Sequence, residues 1–90
     1  GGEEFLVVLP DCAADDAQRV AERLRRVISD RPVRLSGGAE AHITASIGVA
    51  LAQSLSDLRD GSAALERADR ALLRAKSEGR NQIMLWPEAA

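Results

Sequence analysis

The spacing of apolar residues changes several times along the chain, and these changes restrict its fold more than any other feature of the sequence. A continuous apolar run at residues 4–9, ended by Pro10-Asp11, predicts a buried strand. Over residues 14–29 the apolar residues recur at helical spacing, with acids in the first turn and arginines near the last, which predicts an amphipathic helix. Pro32 lies beyond this helix and prevents its continuation. The chain therefore starts with a strand followed by a helix.

The rest of the chain continues this alternation. The expected segments are, in order, a short strand at 33–35, a turn at 36–40, a strand at 42–52 with one small, polar face, a polar loop at 53–61, a helix at 63–77 capped by Ser62 and ended at Gly79, and a strand at 82–86. The residues predicted to be buried in the two helices are Ala17, Val20, Ala21, Leu24, Val27 and Ile28, then Leu65, Ala68, Leu72 and Ala75. The order β-α-β-β-α-β predicts an α+β fold with a ferredoxin-like sheet and helices packed on one face.

The composition excludes several classes of protein. The chain has 90 residues, enough for one small domain, and its 46% hydrophobic content is too high for a disordered tail. A net charge of −2 argues against a general electrostatic binder of nucleic acid or of an anionic membrane. Cys12 has no second cysteine to pair with, and no apolar run approaches the length of a membrane span. A reducing, cytoplasmic location fits these features best, and any membrane tether would belong to other parts of a parent protein.

Two glycines followed by two acids open the chain. Gly1-Gly2 before a strand is typical of a hairpin, which needs an incoming strand, so the chain is expected to be a fragment; a remnant of cloning is the alternative. Glycines at such a turn let a phosphate approach the backbone, and Glu3 and Glu4 offer the carboxylate oxygens that Mg²⁺ prefers. The other interpretation is an ordinary turn followed by solvated acids, since adjacent residues of a strand point to opposite faces.

Basic residues form two further candidate sites. Lys76 and Arg80 lie near the end of the second helix, where they could clamp a polyphosphate or merely compensate the helix dipole. Arg19, Arg23 and Arg26 recur along the first helix, which makes this flank either an anion-binding face or a solvated surface paired with acids.

The opening residues Gly1-Gly2-Glu3-Glu4-Phe5 resemble the signature of the GGDEF family of diguanylate cyclases. Further motifs resemble that family in order and at its spacing: Leu9-Pro10-Asp11, Ala21-Glu22-Arg23-Leu24-Arg25, Thr44-Ala45-Ser46-Ile47-Gly48-Val49-Ala50, Ala68-Asp69-Arg70-Ala71-Leu72, Ala75-Lys76 and Gly79-Arg80-Asn81. The resemblance covers residues 1 to about 84. Leu73 departs from the pattern, because the family usually carries Tyr there, and this change is expected to affect packing rather than chemistry.

The resemblance implies an enzyme of bacterial second-messenger signalling. Members of the family condense two GTP molecules into cyclic di-GMP and release two pyrophosphates, with Mg²⁺ or Mn²⁺ as cofactor. By their place in the signature, Gly1 and Gly2 would let the backbone approach the phosphates. Glu3 would be the metal ligand and catalytic acid, and Glu4 would support the metal site or the activation of a hydroxyl.

The resemblance also implies further binding residues and partners. Lys76 and Arg80 would contact the β and γ phosphates of GTP, and Arg23 matches a position at which many members bind product at an inhibitory site. Catalysis would take place in an antiparallel homodimer under the control of an upstream sensor or receiver domain, without nucleic acid or direct membrane contact. Residues 1–90 would form the C-terminal portion of a single GGDEF domain with a nucleotide-cyclase-like sheet.

In the family, an earlier strand and helices carry a second metal-binding Asp, the guanine-binding residues and the RxxD inhibitory motif. The chain by itself is therefore expected to be inactive. The alternative function is a non-catalytic GGDEF module that binds GTP or cyclic di-GMP as a regulatory sensor.

Overall fold

The secondary structure alternates largely as the spacing of apolar residues predicts. A computed structural model of the chain describes residues 2–10, 13–52 and 62–86. The elements in these ranges are β1 (Gly2–Pro10), α1 (Ala14–Ser29), β2 (Val33–Arg34), β3 (Glu40–Ala41), β4 (Thr44–Ala52), α2 (Ser62–Ser77) and β5 (Ile83–Trp86). The α+β class is confirmed, and no helix in the described ranges is both long and apolar enough to cross a membrane. The loop predicted at 53–61 lies outside the described residues.

The main sheet consists of three parallel strands in the order β1-β4-β5. β1 pairs with β4 over its whole length, from Gly2 opposite Thr44 to Pro10 opposite Ala52. A parallel pair needs a crossover connection, and α1 lies in that connection. β2 and β3 form a separate antiparallel pair. The strand predicted at 42–52 begins two residues later, at Thr44, and the short strand β3 at the end of the predicted turn was not expected.

The two helices lie on opposite faces of β4. Successive side chains of a strand point to opposite faces. Ile47 and Val49 are buried in a cluster with Ala21 of α1, whereas Gly48, between them, lies directly against α2. The prediction that the helices pack on one face is wrong, because β4 is central and buries both of its faces. The small face of β4, which includes Ser46, is covered by a helix rather than by solvent.

Alanines, rather than larger apolar residues, fill most of the helix interfaces. The buried residues of the helices are Ala17 and Ala21 in α1 and Ala64, Ala68, Ala71, Leu72 and Ala75 in α2. The predicted buried stripes are wrong for four residues that are at least 43% exposed, namely Val20, Leu24, Val27 and Leu65. The backbone of α2 lies directly against Gly48 of β4, so α2 packs there mainly through alanines with Leu72 beside them, and α1 lies mainly over β4 and β5. Leu73 is also exposed, so its departure from the family pattern alters no buried contact.

The end of α2 has the hydrogen bonds of a Schellman motif. The Gly79 N–H donates to the Lys76 carbonyl oxygen at 3.4 Å, and the Arg80 N–H donates to the Ala75 carbonyl oxygen at 2.9 Å. Gly79 has a φ of +119°, a conformation that favours glycine. The predicted helix end at Gly79 is confirmed, whereas Ser62, predicted as the N-cap, is already part of the helix.

Candidate functional site

A carboxylate of β1 lies between two cations at the end of α2. The Oε1 atom of Glu4 is 3.0 Å from the Nζ atom of Lys76, and its Oε2 atom is 3.6 Å from the Nη1 atom of Arg80. All three side chains remain accessible to solvent, the least exposed being Lys76 at 28%. Both cations therefore lie within reach of one anionic group.

The alternation of side chains along β1 decides which acid of the signature joins this cluster. In the pairing of β1 with β4, Glu3 is in register with a residue of the α1 face and Glu4 with a residue of the α2 face. Since α2 carries Lys76 in its last turn, Glu4 meets the cations. Glu3 is exposed and has no ion pair within the described residues. The structure thus brings Glu4, Lys76 and Arg80 together and leaves Glu3 apart.

The cluster keeps its carboxylate ionised. The hydrogen bond from Lys76, with the charges of Lys76 and Arg80, holds the pKa of Glu4 below its ordinary value. A carboxylate with a lowered pKa is a weak base and a good counter-ion. Glu4 is therefore suited to balancing and orienting the two cations.

The turn after α2 holds Arg80 in an unusual backbone conformation. Arg80 and Asn81 have φ values of 64° and 49°, in the left-handed region that few residues other than glycine adopt. The backbone N–H of Asn81 donates to the Ser46 hydroxyl at 3.1 Å, and its Oδ1 atom accepts from Arg25 Nη1 at 2.8 Å. Sequence reasoning missed these contacts. The available signal was an asparagine after Gly-Arg, because asparagine tolerates left-handed backbone.

The arginines of α1 are partly neutralised by acids. Arg19 lies 3.8 Å from Asp16, and Arg26 lies 3.2 Å from Glu22, whereas Arg23 has no ion pair within the described ranges. An open groove along this helix is lined by the charged residues Asp15, Arg19, Glu22, Arg23, Arg26, Asp30 and Arg31. Cations and carboxylates nearly balance along it. The geometry therefore favours the paired solvated flank for Arg19 and Arg26.

A candidate metal ligand remains at the start of β1. Within residues 2–10, 13–52 and 62–86, no group of three or more His, Cys, Asp or Glu side chains could hold a metal ion. Mg²⁺ is often held by one or two carboxylates together with substrate phosphates, so the exposed carboxylate of Glu3 at the start of β1 fits such an ion. Gly2 begins β1 next to this acid, and Gly1 lies outside the described residues.

The family model and the similar proteins agree on one family. The family described as "Diguanylate cyclase, GGDEF domain" matches residues 1–82. The response regulator PleD of Caulobacter vibrioides is 42% identical over 85 residues, which cover 93% of this chain and 18% of PleD. Diguanylate cyclase A of Treponema denticola is 39% identical over 85 residues, which cover 94% of this chain and 22% of that protein. No solved structure gives a significant match.

The match covers the residues that form the site. The chain spans about a fifth of the length of these relatives. The matched range nevertheless includes β1 with Glu4, all of α2 with Lys76, and the turn with Arg80. The chain therefore belongs to the diguanylate cyclase GGDEF domain family.

Proposed function

We propose that this domain, within its natural protein, condenses two GTP molecules into cyclic di-GMP. In each of two steps, the 3′-oxygen of one nucleotide forms a bond to the α-phosphorus of the other. The bond from that phosphorus to the bridging oxygen breaks, pyrophosphate leaves, and the hydroxyl proton passes to a base. The family and its diguanylate cyclase members support this reaction.

The observation that carries the proposal is the convergence of Lys76 and Arg80 on one exposed carboxylate of the signature. Negative charge builds up on the leaving pyrophosphate, and positioned cations stabilise it. The ammonium and guanidinium groups have several N–H donors, so each can bind phosphate oxygens while it still contacts Glu4. We therefore assign Lys76 and Arg80 to the β and γ phosphates of GTP.

The two acids of the signature would have different roles. Glu4 would orient the cations, since its lowered pKa makes it a poor acceptor for a hydroxyl proton. Glu3, accessible on the other face of β1, would hold Mg²⁺ or Mn²⁺ together with phosphate oxygens and take part in catalysis. The bound ion would supply charge neutralisation at the phosphates. Gly1 and Gly2 precede these acids and would leave the phosphates room at the backbone.

The reaction also requires a second domain and a regulatory input. Two GGDEF domains would face each other as an antiparallel homodimer, each holding one GTP. The name of PleD, a response regulator, supports control by another domain of the same protein. Arg23, unpaired within the described ranges, would bind product in an inhibitory site. A cytoplasmic location and the inactivity of residues 1–90 by themselves stay predictions.

The test is the formation of cyclic di-GMP and pyrophosphate from GTP and Mg²⁺ by the natural protein that carries these residues. We expect Glu3→Gln to lower the rate of product formation by roughly 100-fold or more. Lys76→Ala and Arg80→Ala should each raise the KM for GTP by about tenfold, because each removes a charge-assisted contact. Glu40→Gln, which changes an exposed acid of β3, is the matched control and should leave the rate unchanged.

The outcomes separate the two functional classes. Product that is lost in the Glu3 variant establishes a cyclase. Binding of GTP or cyclic di-GMP without any product would instead support the non-catalytic regulatory module. Absence of both binding and product would contradict either function.

A further inference from the structure

We propose that Asn81 is a positioning residue that aims Arg80 at the phosphate site by holding the turn between α2 and β5 in its left-handed conformation. The inference rests on the proposed role of Arg80 in binding GTP. It extends the site to three residues of the described fold that do not themselves contact the ligand, namely Asn81, Ser46 and Arg25.

The backbone of this turn is the first observation. Three consecutive residues, Gly79, Arg80 and Asn81, have positive φ values of 119°, 64° and 49°. Gly79 adopts this region freely, but Arg80 does so only at a cost in free energy, which contacts of the turn with the rest of the fold help to offset. The direction of the Arg80 side chain depends on this backbone conformation, because its Cβ atom is fixed by φ and ψ.

The contacts of Asn81 provide the restraint. Its backbone N–H donates to the hydroxyl of Ser46, a buried residue of β4. Its Oδ1 atom accepts from the Nη1 atom of Arg25 on α1. Because α1 and α2 lie on opposite faces of the sheet, Asn81 connects the turn after α2 to the other helix layer.

Arg25 is itself firmly placed. Its Nε atom donates to both carboxylate oxygens of Glu22, at 3.1 and 3.0 Å, and its side chain is only 18% exposed. The Asn81 side chain therefore bonds to a donor that is fixed by an ion pair rather than to a mobile surface arginine. Gln82 adds a local restraint, since its Nε2 atom donates to the carbonyl oxygen of Arg80 at 3.2 Å.

The contacts of Asn81 favour a role through Arg80. Its backbone N–H is bonded to Ser46 and its Oδ1 atom to Arg25, which leaves the two donors of Nδ2, and a double-mutant cycle with Arg80→Ala distinguishes a direct contact of these donors with the ligand from positioning. The Oδ1 atom is an acceptor and would repel phosphate oxygens. Arg80, in contrast, has a half-exposed guanidinium that contacts only Glu4 in the cluster.

The experiment compares the affinities of GTP and GMP in the natural protein that carries these residues. GMP lacks the β and γ phosphates, so a residue that aims Arg80 should affect GTP only. We expect Asn81→Gly, which keeps the left-handed preference but removes the acceptor, to weaken GTP binding about five- to tenfold and to leave GMP binding within about twofold. Arg25→Ala should have the same effect, whereas Arg26→Ala, which removes another arginine bonded to Glu22, should not.

A double-mutant cycle with Arg80→Ala separates positioning from a general structural effect. In the Arg80→Ala background, Asn81→Gly should weaken GTP binding by less than about twofold further. A full additional loss in that background, or an equal loss of GMP affinity, would overturn the inference while the assignment of Arg80 stands. If Arg80→Ala itself leaves GTP affinity unchanged, the proposed phosphate site fails and this inference fails with it. Should Asn81→Gly not fold, as judged by circular dichroism, the Arg25→Ala and Arg26→Ala pair gives the same decision.

Discussion

At the scale of single residues, the two adjacent acids of the signature are separated by strand geometry. Glu4 lies on the face of β1 that meets α2 and pairs with Lys76 and Arg80. Glu3 lies on the opposite face and has no such partner in the part of the chain that the structure describes. Two residues of the same type therefore have different electrostatic environments, and we expect them to differ in function.

The pH dependence of Glu4 tests this environment. Its pKa is lowered in the folded chain, so the stabilising ion pair is fully present above pH 4.5 and is lost as pH falls through the folded pKa. Lys76→Met should raise the pKa of Glu4 toward its ordinary value, because the hydrogen bond from Lys76 is the largest cause of the shift. The measurement is an NMR titration of the side-chain carboxyl carbon. Arg70→Met, on the same helix but paired with Glu66, is the control and should leave this pKa unchanged.

At the scale of secondary-structure elements, close packing of α2 on β4 places the cations near β1. A Cβ atom added to Gly48 would lie 2.0 Å from the Ala68 carbonyl oxygen and 2.5 Å from the Leu72 amide nitrogen. The helix backbone therefore rests directly on the strand, and the alanines of α2 permit this approach. The apolar period predicts that Leu65 is buried, but Leu65 is half exposed, whereas Leu72 two turns further along α2 is buried.

We expect Gly48→Ala to lower the free energy of unfolding by about 1–3 kcal/mol or more, because the added methyl group meets backbone atoms that cannot rotate away. Chemical denaturation followed by circular dichroism measures this change. Leu72→Ala should not restore stability to the Gly48→Ala chain, since it leaves the two backbone contacts in place. Wild-type stability of Gly48→Ala would contradict the described approach of α2 to β4.

At the scale of the whole molecule, β4 is the centre of a three-layer arrangement. It pairs with β1 on one side and β5 on the other, and the two helices cover its two faces. Residues 45–50 of this strand are all buried. The pair of β2 and β3 lies in a separate sheet of two residues in each strand and is mostly exposed.

This arrangement predicts a gradient of local stability. Amide hydrogen exchange should be slowest in β4, because its opening requires both neighbouring strands and both helices to separate. It should be much faster in β2 and β3, which open without disturbing the main sheet. Exchange measured residue by residue by NMR gives the result directly. Equal protection of β3 and β4 would show that the two sheets open as one unit.

Local sequence patterns predict several features of the fold and of the candidate site. The apolar period predicts α1 with its observed bounds, Gly79 predicts the end of α2, and the Gly-Gly-Glu-Glu-Phe signature predicts the family. The spacing of Lys76 and Arg80 also predicts that the two cations lie close together, whereas their shared contact with Glu4 arises from the tertiary structure. These features depend on residues that are neighbours in the chain or on one helix surface, where spacing determines geometry.

The remaining features depended on the tertiary structure, because they arise between distant segments. The two helices lie on opposite faces of β4. The sequence of β4 does not predict this placement, because both faces of the strand are compatible with burial. The bonds of Asn81 to Ser46 and Arg25 join residues 35 and 56 positions apart, and no period in the sequence reports them. The sequence by itself determined the α+β class, the bounds of α1, the end of α2 and the family. The tertiary structure decided which residues meet at the site, because the packing of α2 on the sheet brings Lys76 and Arg80 to Glu4 of β1.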